Sequence, residues 1–252
     1  MLGGRGILVT RPRAQAAGLI DLIRAQGGDP VLFPTIAITP VDDIARAAAM
    51  LARLAEFDHV IFASANAVTF GLALASSGWP HGVDAIAVGP ATAKALETAR
   101  IPGVLVPGER FDSEGVLDKS VLRRPLGKRV MIVRGVGGRD VLARTLAERG
   151  ALVEIAEVYA RRNPCGDTGA LVEQWRAGRI HAVICTASEA VRNLRGSLAG
   201  NADLLERTPM FVPHRRIALA AGALHLTDVI ETATGDAAIV RAIDAFFAKV
   251  EG

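Results

Sequence analysis

The sequence has few cysteines and few aromatic residues. Its 252 residues include 2 Cys, 8 Phe, 2 Trp and 1 Tyr. Cys165 and Cys185 lack metal-ligand spacing, and two cysteines do not make a disulfide scaffold, so we expect a reducing cytoplasm and no zinc site. The shortage of aromatic rings argues against the base-stacking surfaces that bind nucleic acids.

Long hydrophobic runs are also absent. A membrane-spanning helix needs roughly 18 or more consecutive apolar residues, and no run approaches that length. A strand pattern begins almost at the N-terminus, so we expect no signal peptide. Lys plus Arg number 29 and Asp plus Glu number 26, for a net charge of +3. This small excess suits an anionic small molecule, and we expect neither a membrane nor a nucleic acid as partner.

What the sequence does contain is a strand, glycine turn, helix and strand pattern at residues 128–162. An apolar run at 130–133 ends in a glycine cluster, and helical periodicity follows. Gly150 stops the helix before a second apolar run begins at Leu152. The pattern predicts a βαβ unit and therefore a parallel sheet.

The same pattern occurs earlier in the chain, at a constant offset of 123 residues. Arg11 aligns with Arg134, Gly27 with Gly150, and the segment VIFASANAV, which begins at residue 60, with VICTASEAV, which begins at residue 183. Each copy also predicts a late strand, at 103–106 and at 228–231. An internal repeat of this length indicates two copies of one α/β domain and not a solenoid.

Two proline-flanked segments, 33–40 and 154–164, are neither helical nor glycine-rich. They are either ordinary loops or places where the chain crosses between domains. If the chain crosses twice, the N-terminal βαβ unit completes its sheet with the C-terminal half. The periodicity leaves open both this arrangement and two consecutive domains that meet near residue 125.

Small hydroxyl or amide residues follow four of the predicted strands. They are Thr10 next to Arg11, Ser64 with Asn66, Thr92, and Thr186 with Ser188. Helix N-termini converge at the carboxyl edge of a parallel sheet, where their free N–H groups bind carboxylates or phosphates. The same side chains are equally suited to capping the helices, as Asp112 is before Ser113. Both roles stay open for each residue, although four such turns together favour binding.

The glycine-rich turn after Arg134 partly fits a dinucleotide-binding loop. Asp140 occupies the third glycine position, and the first copy has Pro12 and no glycine, so we do not expect a nucleotide site. Arg11 and Arg134 are better explained as partners of a carboxylate, which belongs either to the protein or to a ligand. Cys185 lies in an apolar strand pattern and is interpreted as a core residue.

Several stretches together resemble the uroporphyrinogen-III synthase family. In order along nearly the whole chain they are LVTRP with Gln15, FPTIAITP, FDHVIFASANAV, AVGPATAKAL, FDSEGVL, VRGVGGRD, EVYARR, VICTASEAV and PHRRIA. Each stretch is weak alone, but their order and spacing are specific. Arg215 departs from the many relatives that have proline after the histidine, which affects a helix start and not the assignment.

The resemblance implies an α/β fold of two similar parallel-sheet domains, flavodoxin-like or Rossmann-like, joined by a two-strand linker. It selects the crossing arrangement over consecutive domains. We therefore expect a discontinuous first domain, 1–34 with 164–252, and a second domain at 41–156. The linkers are expected at 35–40 and 157–163.

The resemblance also implies a lyase that uses neither a metal nor an organic cofactor. The family closes the linear tetrapyrrole hydroxymethylbilane with loss of water and inversion of ring D. The product, uroporphyrinogen III, leads to haem, sirohaem and cobalamin. We expect a cytoplasmic monomer that receives its substrate from hydroxymethylbilane synthase. The alternative is a two-domain sensor that binds an anionic small molecule without turnover.

The family's catalytic tyrosine corresponds to Tyr159, the only tyrosine of the chain. By motif position, its substrate-binding residues correspond to Thr10, Ser64, Asn66, Thr92, Ser113, Arg134, Gly135 and Ser188, to which the internal repeat adds Arg11. Without the resemblance, a packed ring with its hydroxyl in solvent is the simpler interpretation of Tyr159. With it, the phenol is the expected proton donor to the departing hydroxyl.

Overall fold

The computed structural model describes residues 1–75, 78–108, 110–164 and 166–250, and Cys165 lies outside these ranges. Within them the strands are β1 (Gly6–Val9), β2 (Asp29–Leu32), β3 (Ala37–Pro40), β4 (His59–Phe62), β5 (Asp84–Ala87), β6 (Arg129–Gly135), β7 (Leu152–Arg162), β8 (Ala182–Ile184), β9 (Met210–Val212) and β10 (Val229–Glu231). The helices are α1 (Ala17–Ala25), α2 (Ile44–Leu51), α3 (Ala65–Leu74), α4 (Pro90–Thr98), α5 (Ser113–Leu117), α6 (Ser120–Arg123), α7 (Val141–Glu148), α8 (Thr168–Arg176), α9 (Ser188–Ser197), α10 (Ala202–Glu206), α11 (Arg215–Gly222) and α12 (Asp236–Val250).

The strands form two five-stranded sheets. One has the order β10-β9-β8-β1-β2, and its neighbouring strands all run parallel. The other has the order β3-β7-β6-β4-β5, in which β7, β6, β4 and β5 run parallel. The predicted α/β fold class with two parallel sheets is therefore confirmed.

Each sheet combines strands from both copies of the repeat. β1 of the first copy pairs with β8 of the second, and β6 of the second copy pairs with β4 of the first. The first two strands of each copy pair in the same register. Gly6 lies opposite Asp29 in one sheet, and the residues 123 positions later, Arg129 and Leu152, lie opposite each other in the other sheet. The chain thus divides into two compact units, Met1–Ala37 with Arg162–Gly252 (unit 1) and Ile38–Arg161 (unit 2).

Glycines end the first helix of each copy. Gly27 follows α1 with φ +73°, and Gly150 follows α7 with φ +86°. This left-handed conformation is most favourable for a residue without Cβ, and it stops the helix and turns the chain into the next strand. Apolar residues four apart face inward before each stop, Leu19 with Ile23 in α1 and Leu142 with Leu146 in α7. No helix in the described ranges has the length and hydropathy to cross a membrane.

The sheet of unit 2 is covered on both faces. Val60 and Phe62 of β4 belong to the core under α2, α3 and α4, whereas Ile61 between them belongs to the core under α5, α6 and α7. Such alternation follows from the two-residue period of a strand. In unit 1, α1 and α12 pack on β1, β8 and β9. Burial on both faces explains why the central strands are continuous apolar runs.

The late strand predicted at 103–106 forms as a single bridge. Leu105 pairs with Ile86, and its N–H and C=O bond to Ala85 and Ala87 at 2.8 Å each. Pro102 and Pro107 flank the segment, and a proline cannot donate a ladder hydrogen bond. The corresponding segment of the second copy, which lacks these prolines, forms the three-residue strand β10.

Cys185 follows β8 and is fully buried. Burial raises the pKa of its thiol to about 12, although a hydrogen bond from Thr10 Oγ1, 3.6 Å from Cys185 Sγ, acts in the opposite direction. A thiol reacts as its thiolate, whose fraction at a given pH falls tenfold for each unit by which the pKa rises. The interpretation of Cys185 as a core residue agrees with this environment.

We predict that Cys185 does not react with a thiol reagent in the native protein. In a Cys165→Ser variant, which leaves Cys185 as the only thiol, labelling at pH 8 should be roughly a thousandfold slower than in denaturant. Absorbance after addition of Ellman's reagent measures both rates. Equal rates in native and denatured protein would show that the thiol is accessible.

Candidate functional site

Three parallel strands of unit 2 end at one edge of its sheet. β4 ends at Phe62, β5 at Ala87 and β6 at Gly135, and the strands are paired in register. The carboxyl edge of a parallel sheet is where helix N-termini and loop side chains meet. Ser64 and Thr92 therefore lie near the same edge as Gly135.

The ring of Tyr159 is buried at this edge, with the residue 5% exposed. The register between β6 and β7 shifts after Arg134, so that Gly135 lies opposite Tyr159 and not opposite Val158. A Cβ at Gly135 would lie 2.6 Å from Cε2 and Cζ of the tyrosine ring, a distance that real atoms do not tolerate. The ring of Phe70 packs beside the phenol at a centroid distance of 5.9 Å. The ring is therefore held in place by its neighbours, and the hydroxyl does not project freely into solvent.

The hydroxyl of Tyr159 contacts Ser64. Tyr159 Oη lies 3.1 Å from Ser64 Oγ, and either oxygen can be the donor. Ser64 Oγ also accepts a hydrogen bond of 3.1 Å from the backbone N–H of Ala67, which makes Ser64 the N-cap of α3. The capping role and a role at the phenol are thus combined in one side chain.

Arg134 is bound by the protein's own groups. Its Nη1 donates to Asp140 Oδ1 at 2.8 Å and to the carbonyl oxygens of Gly138 and Arg139 at 2.9 and 3.0 Å. Its Nη2 lies 3.3 Å from Glu157 Oε1, and the side chain is 11% exposed. Among the described residues its Nε has no hydrogen-bond partner.

A pocket of ≈ 450 Å³ adjoins Arg134 within unit 2. Its lining combines apolar side chains with charged groups of both signs, and comprises Val41, Asp42, Asp43, Arg46, Ala47, Met50, Arg134, Val136, Ile155 and Glu157. The N-terminus of α2 contributes to this lining, and Asp43 caps that helix by accepting from Arg46 N at 2.9 Å.

Three of the predicted site residues lie in unit 1. Thr10 is fully buried and donates to the carbonyl oxygen of Ile184 at 2.8 Å. Arg11 forms a 2.6 Å ion pair with Asp236 at the start of α12 and donates to Thr186 Oγ1 at 3.3 Å. Ser188 begins α9, and its Oγ lies 3.4 Å from the carbonyl oxygen of Arg216. Like Arg134, Arg11 pairs with a carboxylate of the protein itself.

The remaining predicted residues occupy the first turns of helices in unit 2. Asn66 lies in α3, and Thr92, which is 5% exposed, lies in α4. Ser113 is the first residue of α5, whose cap is Asp112, since Asp112 Oδ1 accepts from Gly115 N at 2.8 Å. This backbone bond and the contact with Arg110 lower the pKa of Asp112.

Two histidines, His59 at the start of β4 and His181 just before β8, are engaged in structural contacts. His181 Nδ1 accepts from the backbone N–H of Gly6 at 3.0 Å, and His59 Nδ1 lies 3.0 Å from Asp84 Oδ2. Over the described ranges, the His, Cys, Asp and Glu side chains form no group of three that could hold a metal ion.

Two residues of the Tyr159 environment were not predicted from the sequence. Glu157 pairs with Arg134, and Phe70 packs on the phenol. For Glu157 the only signal was its place two residues before Tyr159 in the EVYARR stretch, because its pairing with Arg134 depends on the register of the strands. For Phe70 there was none, since an apolar residue in α3 has the same pattern whether it contacts the core or a site.

Comparison with known proteins identifies the family. A family profile described as "Uroporphyrinogen-III synthase HemD" matches residues 17–239. Uroporphyrinogen-III synthase of Escherichia coli is 35% identical over 191 residues, which cover 75% of this chain and 78% of that protein. That of Synechococcus elongatus is 30% identical over 204 residues, 79% of this chain and 76% of that protein.

Solved structures agree in fold. A mutant uroporphyrinogen III synthase from Thermus thermophilus superposes with a TM-score of 0.64 at 19% identity, covering 98% of this chain and 100% of that one. The enzyme from Helicobacter pylori superposes with a TM-score of 0.59 at 16% identity, covering 98% and 99%. The profile match and the sequence identities, with the two-sheet fold, establish that this chain belongs to the uroporphyrinogen-III synthase family.

Proposed function

We propose that this protein cyclises hydroxymethylbilane to uroporphyrinogen III, with loss of water and inversion of ring D, and that Tyr159 is its catalytic residue. The observation that supports this assignment is the fixed position of the only phenol in the chain. Its ring lies on Gly135, and its hydroxyl meets Ser64 at the carboxyl edge of the unit 2 sheet. A proton donor must be held within hydrogen-bond reach of the group that it protonates, which a packed ring permits.

The chemistry needs one proton at the departing oxygen. The electron pair of the terminal pyrrole expels the hydroxyl group of the substrate, the C–O bond breaks, and the phenolic proton of Tyr159 completes the water molecule. The azafulvene carbon left behind then bonds to the substituted carbon of ring D, which gives a spiro intermediate. The bond from that carbon to the bridge of ring C breaks, and the bridge carbon bonds to the free α-carbon of ring D, so that ring D is inverted. Loss of the proton from this α-carbon restores aromaticity and returns a proton to the phenolate. The substrate supplies most of the driving force, so a modest donor is sufficient.

The substrate carries many carboxylates, and the proposed binding residues can receive them. The N-termini of α3 and α4 present backbone N–H groups at the edge where Ser64 and Thr92 lie, and helix N-termini attract anions. Arg134 is paired with Asp140, whose side chain is 63% exposed. An ion pair with so exposed a partner contributes at most about 1 kcal/mol, so a substrate carboxylate can replace Asp140.

The domain boundaries inferred from the sequence, 1–34 with 164–252 and 41–156, are part of the proposal. They are supported by the compact units Met1–Ala37 with Arg162–Gly252 and Ile38–Arg161. We further propose that the enzyme acts as a cytoplasmic monomer and takes hydroxymethylbilane directly from its synthase. The substrate closes spontaneously to the uninverted isomer, so rapid transfer would protect it.

The proposed function is tested by incubating the purified protein with hydroxymethylbilane. After oxidation of the products, chromatography separates the porphyrins of isomers III and I. We expect isomer III in excess, at a rate proportional to protein concentration. Isomer I alone, at the rate of the protein-free control, would refute the enzyme assignment and favour a binding protein.

Tyr159→Phe should slow formation of isomer III by about 10-fold to 100-fold, at the low end of what a general acid contributes. Only the hydroxyl is removed, so the contacts of the ring with Gly135 and Phe70 remain and KM should change little. Single-turnover and steady-state assays measure the effect, with circular dichroism as the check on folding. A variant with the wild-type kcat would remove Tyr159 from the mechanism.

Gly135→Ala should displace the phenol. The new Cβ would lie 2.6 Å from two ring atoms, and overpacking of this kind costs about 1–3 kcal/mol of stability. We expect a lower kcat together with this loss, measured by urea unfolding and by the isomer assay. Gly196→Ala in α9, where no atom lies within 4 Å of the added Cβ, is the matched control. It should leave activity intact and raise stability by up to about 1 kcal/mol. Wild-type activity of Gly135→Ala would contradict the need for close packing.

A further inference from the structure

Either hydroxyl can donate in the contact between Ser64 and Tyr159, and the role proposed for the phenol selects one of the two directions. The backbone N–H of Ala67 can only donate, so Ser64 Oγ acts as acceptor in that bond. The serine still has one hydroxyl proton to place. Tyr159 Oη is its one other neighbour within hydrogen-bond distance among the described residues.

Two arrangements of the hydroxyl protons are possible, and they differ in which of the two protons has no acceptor. If Tyr159 donates to Ser64, the serine oxygen accepts twice and its own proton has no acceptor in the described part of the chain. If Ser64 donates to Tyr159, the serine hydroxyl both accepts a hydrogen bond from Ala67 N–H and donates one, and the phenolic proton is the one without an acceptor in the described part of the chain. Each arrangement leaves one hydroxyl proton without an acceptor in the described part of the chain, and only the second leaves it on the phenol, where the proposed function needs it.

We infer that Ser64 is a positioning residue that donates its hydroxyl proton to Tyr159 and so directs the phenolic proton outward, toward the substrate. The chain of donors runs from Ala67 N–H to Ser64 Oγ–H to Tyr159 Oη–H. This assignment rests on the proposed function and differs from direct binding of substrate by Ser64. In this role Ser64 fixes the rotation about the Cζ–Oη bond of Tyr159. No other torsion of the side chain is free, because the ring is held by Gly135 and Phe70.

The same chain of hydrogen bonds supports the step after proton transfer. α3 spans ten residues, and its N-terminal dipole favours negative charge near its first turn. When Tyr159 has given up its proton, the phenolate oxygen keeps the hydrogen bond from Ser64, which is stronger to a charged acceptor. The serine therefore both aims the proton and stabilises the charge that its transfer creates.

Comparison of α3 with its counterpart in the repeat, α9, distinguishes this role of Ser64 from helix capping. At the position equivalent to Ser64, 123 residues later, stands Ala187, and α9 begins there without any side-chain cap. The helix of unit 1 thus forms and packs without the serine hydroxyl. Capping alone does not account for the presence of serine at residue 64.

Three substitutions at residue 64 separate the two tasks of the side chain. Ser64→Thr keeps a cap and a hydroxyl donor. Ser64→Asp keeps a cap, but its carboxylate can only accept, so it takes the phenolic proton that the substrate needs. Ser64→Ala removes both, and α9 shows that the helix position tolerates alanine. Ala65→Asp places the same charge one residue away and serves as the control for repulsion of an anionic substrate.

The hydrogen bond is read without turnover by carbon-13 NMR of protein labelled at tyrosine Cζ, which gives one signal because Tyr159 is the only tyrosine. We expect Ser64→Thr to retain the wild-type signal and most of the wild-type kcat. Ser64→Asp should move the signal toward the position of a phenolate and lower kcat at least tenfold, with an unchanged midpoint of thermal unfolding. Ala65→Asp should raise KM without a comparable fall in kcat.

A double-mutant cycle distinguishes positioning from direct contact with substrate. If Ser64 acts through the phenol, Ser64→Asp in the Tyr159→Phe background should have the same kcat as Tyr159→Phe alone. An equal further loss in that background, or a Ser64→Asp variant with wild-type kcat and signal, would overturn the inference while the isomer assay of the wild type still supports the proposed function. A wild-type protein that yields no isomer III would overturn the proposed function and the inference together.

Discussion

The pairing of β6 with β4 is the constraint on which the site of unit 2 depends. It joins a strand of the second repeat copy to one of the first, in parallel and in register, so that Ser64 and Gly135 reach the same edge of one sheet. β7 follows because it pairs with β6 from Leu152 to Tyr159. Residues that are 95 positions apart in the chain, Ser64 and Tyr159, meet only because this exchange takes place.

A shift in the register between β6 and β7 then determines which side chain of β7 reaches the carboxyl edge of the sheet. Up to Arg134 opposite Glu157 the ladder is regular, and regular continuation would place Val158 opposite Gly135. The register shift moves Tyr159 there instead, and such irregularities reorient side chains next to functional sites in many sheets. Glycine at 135 is required for this arrangement, because any Cβ would occupy the space of the phenol ring. The shift and the glycine together bring the hydroxyl of Tyr159 to the first turn of α3.

The sequence predicted the local elements well and their side-chain partners poorly. Helical periodicity ending in Gly27 and Gly150 predicted α1 and α7, because backbone conformation and burial are read from neighbouring residues. The strand at 103–106 was reduced to one bridge by prolines, and the carboxylates that pair with Arg11 and Arg134 could not be named. Arg11 pairs with Asp236, and Arg134 pairs with Glu157 as well as with the nearby Asp140. Asp236 and Glu157 are distant in the chain and reach their partners through tertiary packing. The roles of site residues came from the resemblance and not from periodicity.

The repeat offers an internal comparison of the two units. At the offset of 123 residues, Ser64 corresponds to Ala187, Gly135 to Pro12 and Tyr159 to Ile36. Unit 1 therefore has neither the phenol, nor the glycine that makes room for it, nor the serine that meets its hydroxyl, although its strands have the same order and register. Residues that the fold itself requires should be the same in both units, whereas all three of these residues differ between unit 2 and unit 1. The α/β fold of unit 1 forms without these three residues, and their presence together in unit 2 agrees with the role proposed for the hydroxyl of Tyr159.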